Sequence, residues 1–400
     1  MSSDPKITIY YGPLAWFKEK SEPKRPVALM DLVRERDEAT RVITHRVTQH
    51  GAESDEMVEL PKPKRPGHVA AQSGDYASLN DHVITNFAGW IRELNPKHLY
   101  LHNPPFHVHK QLERSFSVKT ERYNYPVVTR ETLVKFRDHY AEHLVGQVSA
   151  KEALLAALYP LTRQGRSKPV VVMLYGPSGV GKTESAEFIN KLLIGTLMRK
   201  QFSMFHNDQF ASYVFGGKLS ESSFAHDLLD RESGVILIDE FDKANPVFHS
   251  AFYQLFDSGV FEDKNYSVTL GPELIICTSN YDSEQDVQRA LGDALYSRFD
   301  ALIRFEPLSA DEIKEIIDRL VNARFESLDA EEKSHVDLDV VRDLLHSAAG
   351  RMGNVRKLSK VVEELISLML VRAVLDGQTR SPTETEKGIE GASLRGGLRD

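Results

Sequence analysis

The stretch from Val170 to Thr183 constrains this chain more than any other: an apolar run followed by Gly-Pro-Ser-Gly-Val-Gly-Lys-Thr. Gly176, Gly181, Lys182 and Thr183 stand at the spacing G-x-x-x-x-G-K-[ST] of a loop that cradles phosphates. Gly176, Pro177, Ser178, Gly179, Val180 and Gly181 would form the cradle, its glycines letting backbone N–H groups turn inward toward anionic oxygens. Lys182 would reach the outer phosphates and the Thr183 hydroxyl a Mg²⁺ ion, with the positive end of a helix behind them. The context agrees with that assignment. Residues 169–175 read as a strand buried on both faces, and Ala186, Ile189, Leu193 and Leu197 recur at helical spacing after the loop.

The 400 residues suffice for two or three domains, and 41% hydrophobic with 27% charged residues describes a globular protein. A net charge of −8 gives no reason to expect nucleic acid or anionic lipid as a partner. The short basic stretches Lys18–Arg25 and Lys62–Arg65 are interrupted by Pro and Glu and read as solvated linker. No apolar run approaches the roughly 20 residues of a membrane span, and no secretory leader pattern opens the sequence. The single cysteine, Cys277, lies in an apolar run; together these features lead to the expectation of a cytoplasmic protein.

Residues 1–130 form an N-terminal partner or recognition region, expected to hold a small α/β domain. Ile7–Tyr11 and Val42–Val47 read as strands and Pro61–Gly67 as an extended linker. A helical stripe runs from Val83 to Leu94, followed by a strand over His98–His102 and by Asn103-Pro104-Pro105-Phe106. That tetrapeptide resembles the catalytic motif of amino-group DNA methyltransferases, but no convincing glycine-rich cofactor loop accompanies it, so a proline-rich strand exit is the reading adopted. His98, His102, His107 and His109 straddle strand and turn without metal-ligand spacing, and are read as ordinary histidines.

From residue 131 to 307 strands alternate with helical segments: the strand before the loop, Phe202–Phe205, Gly234–Glu240, Glu273–Asn280 and Ala301–Phe305. This pattern predicts a parallel sheet sandwiched by helices, with ligands at the carboxyl ends of the strands, where Asp239, Glu240 and Asn280 fall. Residues 308–377 read as an all-helical domain opened by the capping box Ser309–Glu312, and 378–400 as a disordered tail. Asp239-Glu240 after four apolar residues divides the labour between adjacent carboxylates. Asp239 would hold the Mg²⁺ shell and Glu240 would orient the attacking water.

These motifs, in this order, resemble the AAA+ ATPases over about residues 131–376, and within them the Clp unfoldase and chaperone group, particularly its second-ring type of module. The resemblance implies an α/β large domain with a helical lid, using ATP and Mg²⁺. It implies that Val145 and Gly146, in Leu144-Val145-Gly146-Gln147, pack on the adenine. It makes Asn280 the polar sensor between the two phosphate-site strands, Arg298 an arginine finger acting on a neighbouring subunit's ATP, and Arg356 the lid's sensor of the γ-phosphate. It further implies a homo-oligomer, a hexameric or filament-like ring, with an aromatic loop residue that grips a client polypeptide: Tyr213 first, Phe215 second. No Ile-Gly-Phe/Leu loop is present, so coupling to a ClpP-type protease is not expected. The leading expectation is ATP hydrolysis at subunit interfaces that unfolds or remodels a protein partner. A nucleic-acid-associated AAA+ ATPase (a loader or a bacterial conflict-system component) and a non-threading assembly switch are the alternatives.

Overall fold

A computed structural model describes residues 4–36, 38, 65–204, 207–349 and 354–379. The strand expected at Val42–Val47, most of the Pro61–Gly67 linker, and residues 380–400 of the expected tail lie outside the described residues. The chain divides into two compact units, Met1–Pro307 and Leu308–Asp400.

The first unit contains two parallel sheets. The N-terminal one comprises β1 (Lys6–Tyr11), β2 (Val27–Ala28), β3 (His68–Ala71), β4 (His98–His102) and β5 (Val118–Arg122) in the order β2-β3-β4-β1-β5. The small α/β domain expected here is therefore built on the two strands legible in the sequence, β1 and β4, which lie side by side. The single helical stripe expected before β4 is two helices, Asp81–Thr85 and Phe87–Leu94. The break falls at Asn86, which leaves helical geometry (φ −123°, ψ 44°) to stand as the N-cap residue of the second helix, a position that suits asparagine.

The second sheet comprises β6 (Val170–Tyr175), β7 (Met198–Gln201), β8 (Val235–Asp239), β11 (Leu274–Thr278) and β12 (Ala301–Arg304), ordered β12-β6-β11-β8-β7 and parallel throughout. A two-stranded ribbon, β9 (Val260–Glu262) and β10 (Ser267–Thr269), precedes β11. Every residue of β6, β8 and β11 is buried, as expected of strands covered by helices on both faces. The strand expected at Phe202–Phe205 instead occupies Met198–Gln201. Phe202 has turned into the core, edge-on to Phe210 and Phe224, so its apolar character serves packing beyond the strand end. The strand proper is an edge strand carrying Arg199, Lys200 and Gln201.

One continuous apolar core runs through both sheets of this unit. At their junction Leu14 N–H donates to Asp230 Oδ1 (3.0 Å), Phe106 N–H donates to Asn265 O (2.7 Å), and the Arg231 guanidinium lies 3.8 Å from the centre of the Tyr125 ring. Gly234 must be a glycine here, because a Cβ would sit 2.3 Å from the carbonyl oxygen of Pro126.

The second unit is helical in its described residues: Ala310–Glu326, Ala330–Ser334, Leu338–Ala348 and Val355–Thr379. The capping box read at Ser309 is formed, with Glu312 N–H donating to Ser309 Oγ and Ser309 N–H donating to Glu312 Oε2. Ile313, Ile316, Ile317 and Val321 are the buried face of that helix. The last helix continues to Thr379, past the point where the tail was expected to begin.

Candidate functional site

The glycine-rich loop joins the carboxyl end of β6 to the helix Lys182–Leu193. Gly176, Gly179 and Gly181 all have positive φ (135°, 79° and 107°). At Gly176 no other residue fits, since a Cβ would lie 2.2 Å from the carbonyl oxygen of Phe305. Lys182 is 7% exposed. Its Nζ donates to the carbonyls of Gly176 (2.7 Å) and Pro177 (2.6 Å) and to Asn280 Oδ1 (3.2 Å). Asn280 reaches it because β11 lies between β6 and β8, which puts the residues following β11 between the loop and the acidic end of β8. Ser185, one turn into the helix, is fully buried with its hydroxyl on Gly181 O (3.0 Å).

At the end of β8 a single hydroxyl organises both carboxylate residues. Thr278 Oγ1 donates to Asp239 Oδ1 (2.5 Å) and accepts from Glu240 N–H (2.9 Å). Glu240 is thereby held in left-handed backbone geometry (φ 54°, ψ 45°), unusual for a side chain of its kind and typical of a functional constraint. Two residues of β7 complete the group. Arg199 donates to Asp239 Oδ2 (2.5 Å) and lies 3.4 Å from Glu187, and Gln201 Nε2 donates to Glu240 Oε2 (3.1 Å). Thr278, Arg199 and Gln201 were not singled out from the sequence. The available signals were a polar residue ending an apolar strand and charged positions on a strand next to Asp239.

Val145 and Gly146 lie between two residues anchored near the loop, Leu144 and Gln147. Leu144 packs where a side chain on Gly181 would lie, and Gln147, itself in left-handed geometry, binds both backbone groups of Glu306 (Nε2 to O 2.8 Å, N–H to Oε1 3.0 Å). The segment is thus pinned to the chain leaving β12, beside the phosphate loop. The loop shape, the buried lysine and the oxygen donors of Thr183 and Asp239 suit a nucleotide triphosphate with a hard divalent cation.

Arg298 is not in this cluster. Its Nε donates to Asp257 (2.9 Å), its Nη1 donates to Ala294 O, and the guanidinium sits 4.6 Å from the centre of the Tyr253 ring. Two residues on, Asp300 exchanges hydrogen bonds with Val171 at the amino end of β6. Arg356 lies in the second unit, exposed, at the second residue of the helix Val355–Thr379, its N–H donating to Asn354 Oδ1 (2.9 Å); Gly353 lies outside the described residues.

Tyr213, the first choice for a client-gripping aromatic, does not occupy a loop. It lies in the helix Asn207–Phe215, is 3% exposed, and its hydroxyl donates to Asp227 Oδ2 (2.6 Å). The apolar packing of that helix claims it, together with Phe210 and Val214. Phe215, the last residue of the helix, is 46% exposed. Among the described residues no helix is long and apolar enough to cross a membrane.

Residues 167–327 match the family model of the AAA domain (Cdc48 subfamily). The chaperone protein ClpB of Nitratidesulfovibrio vulgaris is 26% identical over 302 residues, covering 65% of this chain and 34% of that protein. ClpB of Aquifex aeolicus is 26% identical over 300 residues (62% and 29%), and the AAA+ ATPase ClpV1 of Pseudomonas aeruginosa is 32% identical over 173 residues (38% and 18%). The chain spans about a third or less of the length of these curated relatives.

Proposed function

We propose that this chain, which carries a Clp-type AAA+ ATPase module, hydrolyses ATP at the contact between neighbouring copies of itself, in a ring, and uses the resulting motion to remodel a protein client. The observation that carries the reading is the convergence of Lys182, Asn280, Asp239 and Glu240 at the carboxyl ends of three adjacent strands, joined through Thr278. Lys182 exchanges its carbonyl partners for the outer phosphates. Thr183 and Asp239 would hold Mg²⁺, which would supply neutralisation of the nucleotide's phosphate charge. Asp239 must first give up its bond to Arg199. Gln201 restrains Glu240 Oε2 and leaves the other carboxylate oxygen to orient the attacking water.

The position of Arg298 supports action in trans. Asp300 is bonded to Val171, and from there to Gly176 the chain advances five strand residues, about 17 Å, further than an arginine side chain extends. Its target phosphate then belongs to another subunit, and a closed ring of such contacts satisfies every copy. Val145 and Gly146 would border the base, and Arg356 would read the γ-phosphate from the lid. Phe215, exposed beside Gly216 and Gly217, is the aromatic left to contact a client. The relatives that are chaperone proteins support remodelling as the outcome.

Glu240→Gln tests the reading. The variant should bind ATP as the parent does and assemble at least as well, while steady-state phosphate release falls by about 100-fold or more. Turnover at the parental rate would refute the role given to Glu240. Proteins retained by the assembled variant in ATP would identify the client.

A further inference from the structure

The N-terminal sheet has a feature that ATP hydrolysis does not use. The sheet is ordered β2-β3-β4-β1-β5, so the carboxyl ends of β1 and β5 lie side by side at one edge, next to the chain that continues into the ATPase domain. Open parallel sheets bind ligands at the carboxyl ends of their strands. A cavity of about 690 Å³ lies there. Tyr11, Gly12, Arg122, Tyr123 and Tyr125, at and just after the ends of β1 and β5, line it together with residues 268–273 of the ATPase domain. Its size is that of small-molecule pockets, and it sits at a junction between two sheets, where such pockets concentrate.

The lining has a definite chemistry. Tyr11, Tyr123 and Tyr125 supply aromatic surface. Arg231 is already neutralised by Glu273, in a buried pair. Arg122 lies 4.9 Å from the centre of the Tyr11 ring and has no carboxylate partner among the described residues. The Tyr11 hydroxyl and His109 Nδ1 share a hydrogen bond (2.7 Å), and His109 Nε2 lies 3.1 Å from Glu113, so the ring beneath Arg122 is fixed. Ser167, Asn124 and Thr269 add uncharged polar groups at the rim. One guanidinium with no paired carboxylate among the described residues, over a fixed tyrosine ring and beside two further tyrosines, with neutral hydrogen-bonding groups in the same lining, suits a planar ring carrying one anionic group.

We propose that this crevice is a second ligand site, separate from the phosphate loop, that binds a nucleoside monophosphate with its phosphate on Arg122 and its base among the tyrosines. The test uses the full chain carrying Lys182→Ala, which disables the phosphate loop, titrated calorimetrically with AMP, GMP, CMP and UMP and, separately, with inorganic phosphate and adenosine. The expected result is saturable binding of at least one monophosphate, tighter than either phosphate or adenosine. Arg122→Glu should weaken it by about tenfold or more through loss of a charge-assisted contact. Thr269→Trp, at an exposed strand position on the rim, should weaken it by filling the cavity without touching the charge. Absence of saturable binding for all four monophosphates overturns the proposal. So does binding present in the parent but lost with Lys182→Ala, binding unchanged in both Arg122→Glu and Thr269→Trp, or binding matched by inorganic phosphate alone. Since no arm requires hydrolysis, these outcomes are independent of the ATPase assignment.

Discussion

Acidification should loosen the N-terminal sheet through one buried residue, His102. It is fully buried at the end of β4, with its ring stacked on Phe17 and its Nε2–H donating to Gly12 O (2.7 Å). The same Gly12 is held on both backbone groups by Asn103, and two residues later Leu14 is bonded to Asp230. Burial pulls the His102 pKa down from 6.5 to about 4, with the Gly12 carbonyl acting upward and His226 downward; the Asp230 carboxylate is 3.6 Å from Nε2. The unfolded chain therefore takes up a proton below pH 6.5 that the folded chain refuses. The neutral ring's contribution is intact above pH 6.5 and is lost as the pH falls toward 4. The gap corresponds to about 3.4 kcal/mol when complete, and to about 2 kcal/mol by pH 5. Urea unfolding followed by tryptophan fluorescence reads this region selectively, because Trp16 and Trp90 are the chain's two tryptophans and both belong to the N-terminal sheet region. Between pH 7.5 and pH 5 the parent should lose about 2 kcal/mol more than His102→Gln, in which the amide still offers a donor toward Gly12. Other titrating groups are common to both proteins and cancel in the comparison. Equal losses, or an imidazole titration of His102 with its midpoint at or above pH 6 by selective-label NMR, would refute the argument.

Two further outcomes follow from the geometry. Arg231→Met should destabilise the first unit by about 3 kcal/mol or more in denaturant unfolding, because it strands the buried carboxylate of Glu273. Arg231→Met combined with Glu273→Leu should regain much of that loss, and an equal loss in the double variant would show that the cost was packing rather than charge. Arg298→Ala should lose ATPase activity as a pure species yet recover part of it when mixed with Lys182→Ala. Mixed assemblies then contain interfaces where an intact loop meets an intact arginine, and no recovery at any mixing ratio would place the arginine's action within its own subunit.

The site was legible wherever its chemistry is local in sequence. Gly176 to Thr183 must be contiguous to wrap phosphates, and Asp239-Glu240 must follow an apolar strand; spacing alone finds both. Asn280 was legible from its place after a second apolar strand, and the strand order β6-β11-β8 brings it against Lys182. What stayed hidden is what the sheet assembles from separate segments. Thr278 looks like the last residue of a strand until its hydroxyl is found between Asp239 and Glu240. Arg199 and Gln201 sit on an edge strand whose polar sequence hid the strand itself, while apolar Phe202 just beyond it drew the assignment forward. Tyr213 and Phe215 differ by two positions and point to different environments, which composition cannot distinguish. The helix they share decides it, burying the first against Asp227 and exposing the second.

The junction between the two sheets illustrates the same limit on a larger scale. In the sequence, residues 1–130 end where recognisable motifs begin, and nothing marks Gly12, Pro126, Asp230, Arg231 or Gly234 as belonging together. In the structure they do. Gly234 admits the Pro126 carbonyl immediately before β8, Asp230 caps the backbone at Leu14, and Arg231 faces Tyr125 while pairing with Glu273, the residue that precedes β11. β8 and β11 are the two strands whose carboxyl ends carry Asp239, Glu240 and Thr278. The N-terminal sheet region is therefore packed at the amino ends of the strands that carry Asp239, Glu240 and Thr278 at their other ends. The residues that make this junction are those whose types looked ordinary in isolation.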